Sequence, residues 1–144
     1  MMLLINQLTE RSLLHWPTNN SVVTSNWGPR TLNGKPDFHK GVDIRAANGE
    51  PIYSVSGGKV ISTKGYGNIN QVFIRDDAGG VHGYANVGAT VSVGDSVYPG
   101  QIIATSDGSG TSAAHLHYSY KPDGVNRVNP LNTVFKGMDY EFKN

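Results

Sequence analysis

Apolar and polar residues alternate in short runs through most of the chain, and the runs are separated by glycine-rich turns. The alternation is clearest in "PIYSVS", "GKVISTKG", "NQVFIRDD", "VHGYANV", "ATVSV", "QIIATS" and "HLHYSYKP", each of which reads as a strand with one buried face. Turn signals fall between them: "SGG" at 56–58, "DDAGG" at 76–80, "VGD" at 93–95, "YPG" at 98–100 and "DGSG" at 107–110. This rhythm, without internal repeats, predicts an all-β fold in which an antiparallel sheet is rolled into a sandwich or partial barrel. Residues 6–14 are the exception: Leu8, Leu13 and Leu14 fall at roughly helical spacing, so residues 1–14 read as a short helix or an arm. The main domain is expected over 15–135. A tail follows at 136–144, and its polar "DYEFKN" is expected to fray.

Composition narrows the class of function. At 144 residues the chain fits one domain with a core of its own, and with no cysteine it has neither disulfides nor thiolate chemistry. Twelve basic residues against 11 acidic ones leave a net charge of +1, which gives nucleic acid or anionic lipid no general foothold. The seven tyrosines and two tryptophans are scattered rather than interleaved with basic clusters, so no base-stacking platform is read. The opening "MMLLINQLTERSLLHW" has an apolar run that stops at Ile5 and lacks a basic start, unlike a secretory signal. No stretch approaches the ~20 apolar residues of a membrane span. The expectation is a chain with no export route of its own.

The chemistry rests on five histidines: His15, His39, His82, His115 and His117. In "AAHLHYSY" the period of two puts His115 and His117 on one strand face, ~6–7 Å apart along the chain. That face either binds a metal or is an exposed strand that happens to hold two imidazoles. "FHKGVDIRA" supplies His39 and Asp43, whose i, i+4 spacing would gather ligands on a helix. Gly41, Val42 and Ile44 disfavour a helix, and on a straight strand the two residues would lie ~13 Å apart. A bend at Lys40–Gly41 would bring them together; without it Asp43 is a satisfied buried carboxylate. Two imidazoles and one carboxylate make a three-ligand set suited to one zinc ion with water in the fourth position, and a further histidine remains for acid–base work. Lys40 and Arg45 either line a groove for substrate carboxylates or are ordinary surface charge. "DGSGTSAA" reads as a flexible rim, and "DDAGG" as a hairpin turn. His15 has no partner in the sequence and reads as structural or exposed.

In these pieces the sequence resembles the lysostaphin/LytM-type zinc endopeptidases of peptidoglycan, from about His15 to Leu131. The segments stand in the family's order: "VVTSNWGPR", "HKGVDIRAANGEPIYSVSGGKV", "GYGN", "QVFIRDDAGGVHGYANV", "VSVGDSVYPGQIIATSDGSGTSAAHLHYSY" and "VNPL". The resemblance implies zinc ligands at His39, Asp43 and His117, a catalytic histidine at His115, and a peptidoglycan peptide as substrate. It implies action at the bacterial cell wall. With no leader read in the chain, that means a phage-borne protein, an endolysin or tail component in a larger assembly, one released by lysis, or a fragment of a longer protein.

One position departs from the pattern. The family's second catalytic histidine, in a Y-x-H strand motif, maps onto Tyr84-Ala85-Asn86. Asparagine cannot accept a proton near neutral pH, but its amide can donate to a developing oxyanion, so Asn86 is expected to substitute in part. Tyr84 and His82 are the expected substrate contacts on the same strand. For His82 this requires a bulge in "DDAGGVHG" to re-aim its ring; otherwise it is a polar residue at a hairpin end. The alternative function is a degenerate domain of the same fold that binds cell wall, serves as structure or activates a partner.

Overall fold

Glycines and short polar turns cut the chain into short strands, and most of their buried apolar positions join one core. The computed structural model describes residues 13–143. The residues expected to form a helix or arm lie largely outside that span, and Leu13 and Leu14 are not helical. The strands are β1 (Val22–Ser25), β2 (Gly28–Leu32), β3 (Lys35–His39), β4 (Val42–Arg45), β5 (Pro51–Tyr53), β6 (Gly58–Ser62), β7 (Gln71–Arg75), β8 (Val81–Ala85), β9 (Val87–Ala89), β10 (Ser96–Val97), β11 (Ile102–Ser106), β12 (His115–Lys121) and β13 (Glu141–Phe142). A 3-10 turn at Pro130–Asn132 is capped by the Asn129 side chain.

Eight strands form the main sheet in the order β10-β6-β7-β8-β12-β4-β1-β13. A three-stranded sheet, β5-β11-β9, contributes Ile52, Ile103, Ala104 and Val87 to the same hydrophobic core. The β2-β3 hairpin stands apart as a two-stranded sheet. Strand pairing is antiparallel except for β1 with β13. The expected rolled antiparallel architecture is therefore present. Of the expected strands, "ATVSV" is the poor match: only its first residue belongs to a strand, and residues 90–93 bend away toward Gly94.

Period-two alternation gives the main sheet two different faces. Val42, Ile44, Val72, Ile74, Tyr84, Leu116 and Tyr118 point into the core and are fully buried. The partner positions Asp43, Ala85 and His117 share the other face: His117 pairs with Asp43 on β4 and with Ala85 on β8. That face is left open as a groove.

Through Lys143 the C-terminal segment is held against the sheet rather than frayed. Aromatic rings step outward from the core, Tyr84 to Tyr118 at 5.4 Å, Tyr118 to Phe135 at 4.9 Å, Phe135 to Trp16 at 4.7 Å and Trp16 to Tyr140 at 5.8 Å. Each such pair contributes about 0.5–1.5 kcal/mol beyond simple burial. The last ring delivers β13 to the edge of β1, where the Lys143 N–H donates to the Val23 carbonyl at 2.9 Å. A polar composition concealed a tail anchored by Tyr140 and by backbone pairing. No helix among the described residues is long and apolar enough to cross a membrane.

Candidate metal centre

β3 and β4 belong to different sheets, and the chain turns between them at Lys40–Gly41. That turn replaces the ~13 Å strand separation with close contact: His39 Nε2 lies 3.3 Å from Asp43 Oδ1. His117, brought alongside by the β4–β12 register, places Nδ1 2.9 Å from Asp43 Oδ1 and 3.2 Å from His39 Nε2. His39, Asp43 and His117 each offer one donor atom, all within 4.8 Å of one another.

Gly41 is what lets the third ring in. A Cβ at that position would stand 2.7 Å from His117 Cε1, 2.9 Å from His117 Nε2 and 2.6 Å from the Tyr118 carbonyl oxygen. The requirement is for space rather than for an unusual backbone angle.

Surrounding groups orient the donors. His39 Nδ1 lies 2.8 Å from the Asn26 carbonyl oxygen, which can only accept, so the proton resides on Nδ1 and Nε2 presents a lone pair to the centre. Ser25 Oγ is 3.2 Å from the same nitrogen. Arg30 on β2 donates through Nε to Asp37 at 2.7 Å, and its terminal nitrogen lies 3.8 Å from Asp43 Oδ2. Burial alone would raise the Asp43 carboxyl; hydrogen bonds and charge from His117 and His39 outweigh it and hold the group well below the usual carboxylate range. Two imidazole nitrogens and one carboxylate oxygen are the donor set that zinc takes with a fourth position open. The residues fit the ion.

His115 stands beside this set but outside it. Its Nε2 is 3.7 Å from Asp43 Oδ1, and its Nδ1 donates to the Ala113 carbonyl at 2.9 Å. The same logic leaves Nε2 as the proton-accepting atom on the side of the centre. The groove continues past His117 as a cleft of about 390 Å³, with Gly83, Ala85 and Ser119 among its lining residues and Tyr66, Phe73 and Arg127 at its walls.

Three expected site residues are placed elsewhere. Tyr84 is fully buried on the core face, where its hydroxyl accepts from the Val55 N–H at 2.8 Å; it has no surface to offer a substrate. Burial pushes its phenol well above the usual tyrosine range. His82 is also fully buried on that face, held between Asp76 Oδ2 at 2.8 Å and the Tyr118 hydroxyl at 2.6 Å. No bulge re-aims it, because β8 stays regular from Val81 to Ala85. Asn86 then breaks the alternation with a left-handed backbone, φ 67°, and its amide nitrogen donates to the Ser109 carbonyl at 2.5 Å. Its side chain is committed to the loop after β11 instead of the metal donors. Asn70 holds the same loop through Asp107 at 2.7 Å and Ser109 Oγ at 2.9 Å, so the expected flexible rim is pinned at its start. His15 is structural: Nδ1 is 2.7 Å from the Trp16 carbonyl, and the ring packs against Tyr53.

Asn26, Ser25 and Arg30 were not singled out as site residues in the sequence. Asn26 acts through its backbone carbonyl, which carries no residue-type signal, and Arg30 acts only once the hairpin folds.

A rolled antiparallel domain with two imidazoles and one carboxylate converging beside an open groove defines a metallopeptidase-type domain. The chain belongs to peptidase family M23, whose profile it matches over residues 37–130, a span that holds the donor set, Asn86 and His115. It is similar to the murein hydrolase activator NlpD of Escherichia coli (strain K12), 31% identical over 127 residues covering 85% of this chain and 31% of NlpD. The chain thus spans about a third of the length of that curated relative. Among solved structures, the catalytic domain of the antimicrobial peptidase lysostaphin from Staphylococcus simulans superposes with a TM-score of 0.67 at 28% identity, covering 79% of this chain and 92% of that domain. A zinc containing peptidase from Vibrio cholerae gives a TM-score of 0.76 at 26% identity, covering 91% of this chain and 41% of that one.

Proposed function

We propose that the protein is a zinc-dependent endopeptidase that hydrolyses peptide bonds in the stems or cross-bridges of peptidoglycan. The observation that carries this reading is the convergence of His39, Asp43 and His117 within 4.8 Å, with His115 Nε2 turned toward them. The peptidase relatives named above support it. Bound zinc would supply a Lewis acid and a water acidified toward neutrality. His39, Asp43 and His117 would hold the ion, and Asn26 and Ser25 keep the His39 ring oriented. His115 accepts a proton at Nε2, because its Nδ1 proton is committed to Ala113, and returns it to the leaving amine. The groove over Gly83 and Ala85 has no large side chain on its floor and admits an extended peptide.

Asn86 favours a second reading. Its amide is engaged with Ser109, so His115 is the one imidazole left at the centre for proton transfer. Loss of general acid–base help is worth about 10²–10⁴-fold in rate. A domain that keeps its metal but has lost turnover would be an activator, the role in NlpD's name, or a wall-binding module.

The deciding experiment incubates purified protein with peptidoglycan and follows new amino termini, with metal content measured on the same sample. One zinc per chain and slow release by the wild type are expected, with both lost in His117→Ala. Asn86→His should accelerate release. Release only by Asn86→His would show a degenerate active site and favour the second reading, and a protein that takes up no zinc with all three ligands intact would overturn the site itself.

A further inference from the structure

A second cavity opens next to the groove, about 310 Å³, lined by Trp27, Lys40, Lys121, Val125, Asn126 and Arg127. Arg127 also lines the groove that reaches His117, so the two spaces share a wall. Lys121 shares the strand parity of His117 and Ser119 and therefore their face of β12, ~13 Å along the strand from His117. Lys40 follows the ligand His39 directly.

Three cations thus line one cavity, and none has a carboxylate within salt-bridge distance among the described residues. The acidic residue nearest in sequence is already occupied. Asp123 accepts from the Asn126 N–H at 2.7 Å, the Val125 N–H at 2.8 Å and the Asn126 side-chain amide at 2.9 Å. These hydrogen bonds, Asn126 foremost, hold its carboxyl down to about 2, so it stays ionised while serving the loop. The loop is tied back to β12 as well, where the Val128 N–H donates to the Tyr120 carbonyl at 3.0 Å. Arg127 is therefore presented on an ordered segment, and the positive charge is held in place instead of trailing in solvent.

Like charges gathered in a concave site without a counter-charge cost stability unless a ligand supplies the anion. We propose that Lys40, Lys121 and Arg127 form a subsite for a free carboxylate of the peptide substrate, bound beside the groove with the Trp27 indole as one wall. The inference rests on the peptidoglycan reading for the source of the carboxylate. Stem peptides carry such groups, and the planar fork of Arg127 suits them. A wall-polymer phosphodiester is the competing anion, but the cavity adjoins the groove where a peptide would lie, which favours the carboxylate.

The test uses the zinc-loaded protein and two synthetic stem peptides, identical except that the isoglutamyl α-carboxylate is free in one and amidated in the other. Calorimetry should find the free acid bound about tenfold more tightly, the amount a charge-assisted hydrogen bond contributes. In the double variant Arg127→Gln, Lys121→Gln that preference should vanish while the amidated peptide still binds, which also reports an intact fold. Equal affinity for the two peptides in the wild type, no binding of either, or a preference that survives in the variant would overturn the subsite. So would a glycerol-phosphate oligomer that binds there and displaces the acid peptide. Digestion of peptidoglycan without a carboxylate preference removes the subsite alone; a preference without digestion removes the endopeptidase reading alone.

Discussion

A methyl group at position 41 would press on the His117 ring from one side and on the Tyr118 carbonyl from the other. Neither neighbour is the free end of a flexible chain, since the carbonyl is part of a central strand and the ring is positioned by Asp43. Gly41→Ala is therefore expected to weaken zinc binding about 10–100-fold, the range seen when groups behind a metal ligand are disturbed. Competition with a chromogenic chelator measures this directly, and unchanged affinity would show that the ring has room to retreat. At this scale the sequence was legible where residue type is itself the chemistry. His39, Asp43, His115 and His117 stand out by kind and spacing. The Asn26 carbonyl that orients His39 is invisible, because every residue has one. Tyr84 and His82 misled for the opposite reason: polar side chains on a predicted strand look like site residues, yet here their polar atoms satisfy core partners.

Strands explain which polar residues went where. Alternation along β8 sends His82 and Tyr84 to the core face, and the left-handed turn at Asn86 ends that alternation at the family's histidine position. Strand alternation therefore cannot be carried from His82 through to position 86, and asparagine adopts such a left-handed turn more readily than most residues. The buried end of β8 also makes a pH prediction. Burial raises the Asp76 carboxyl, but the hydrogen bond from His82 and those from the Gly80 and Ala78 N–H groups outweigh it, so the pKa in the folded state lies below the usual range. The unfolded chain then binds more protons at low pH, and this contribution is complete above about pH 4 and is lost as pH falls through the folded-state pKa. Urea midpoints measured between neutral pH and pH 3 should drop more steeply for the wild type than for Asp76→Asn. Parallel curves would remove Asp76 from the account. The β13 pairing was not legible, because two exposed residues carry no periodicity and the anchor is the Tyr140 ring.

Across the molecule, the three proposed ligands come from separate segments, β3, β4 and β12, which join the hairpin to the middle of the main sheet. Bound metal would therefore oppose global unfolding, and at 100 times the dissociation constant the stabilisation is about 2.7 kcal/mol. Thermal melts should show a higher midpoint with zinc than after chelation, and the difference should disappear in Asp43→Ala. A zinc effect that persists in that variant would place the ion elsewhere. The overall architecture was legible because its core is built from period-two strands and glycine turns. The division of the β-structure into three sheets was not, since it depends on where the chain bends at positions 40–41 and 90–93.

The stacking of Trp16 on Tyr140 has a topological consequence. The segment leading into β1 and the segment leading into β13 are clasped together at one edge of the domain. A host protein could accommodate the unit inside a surface loop without prying that loop apart, and the two junctions could be closed by a short linker to permute the order of its strands. The metal donors, carried by β3, β4 and β12, would travel through either rearrangement intact.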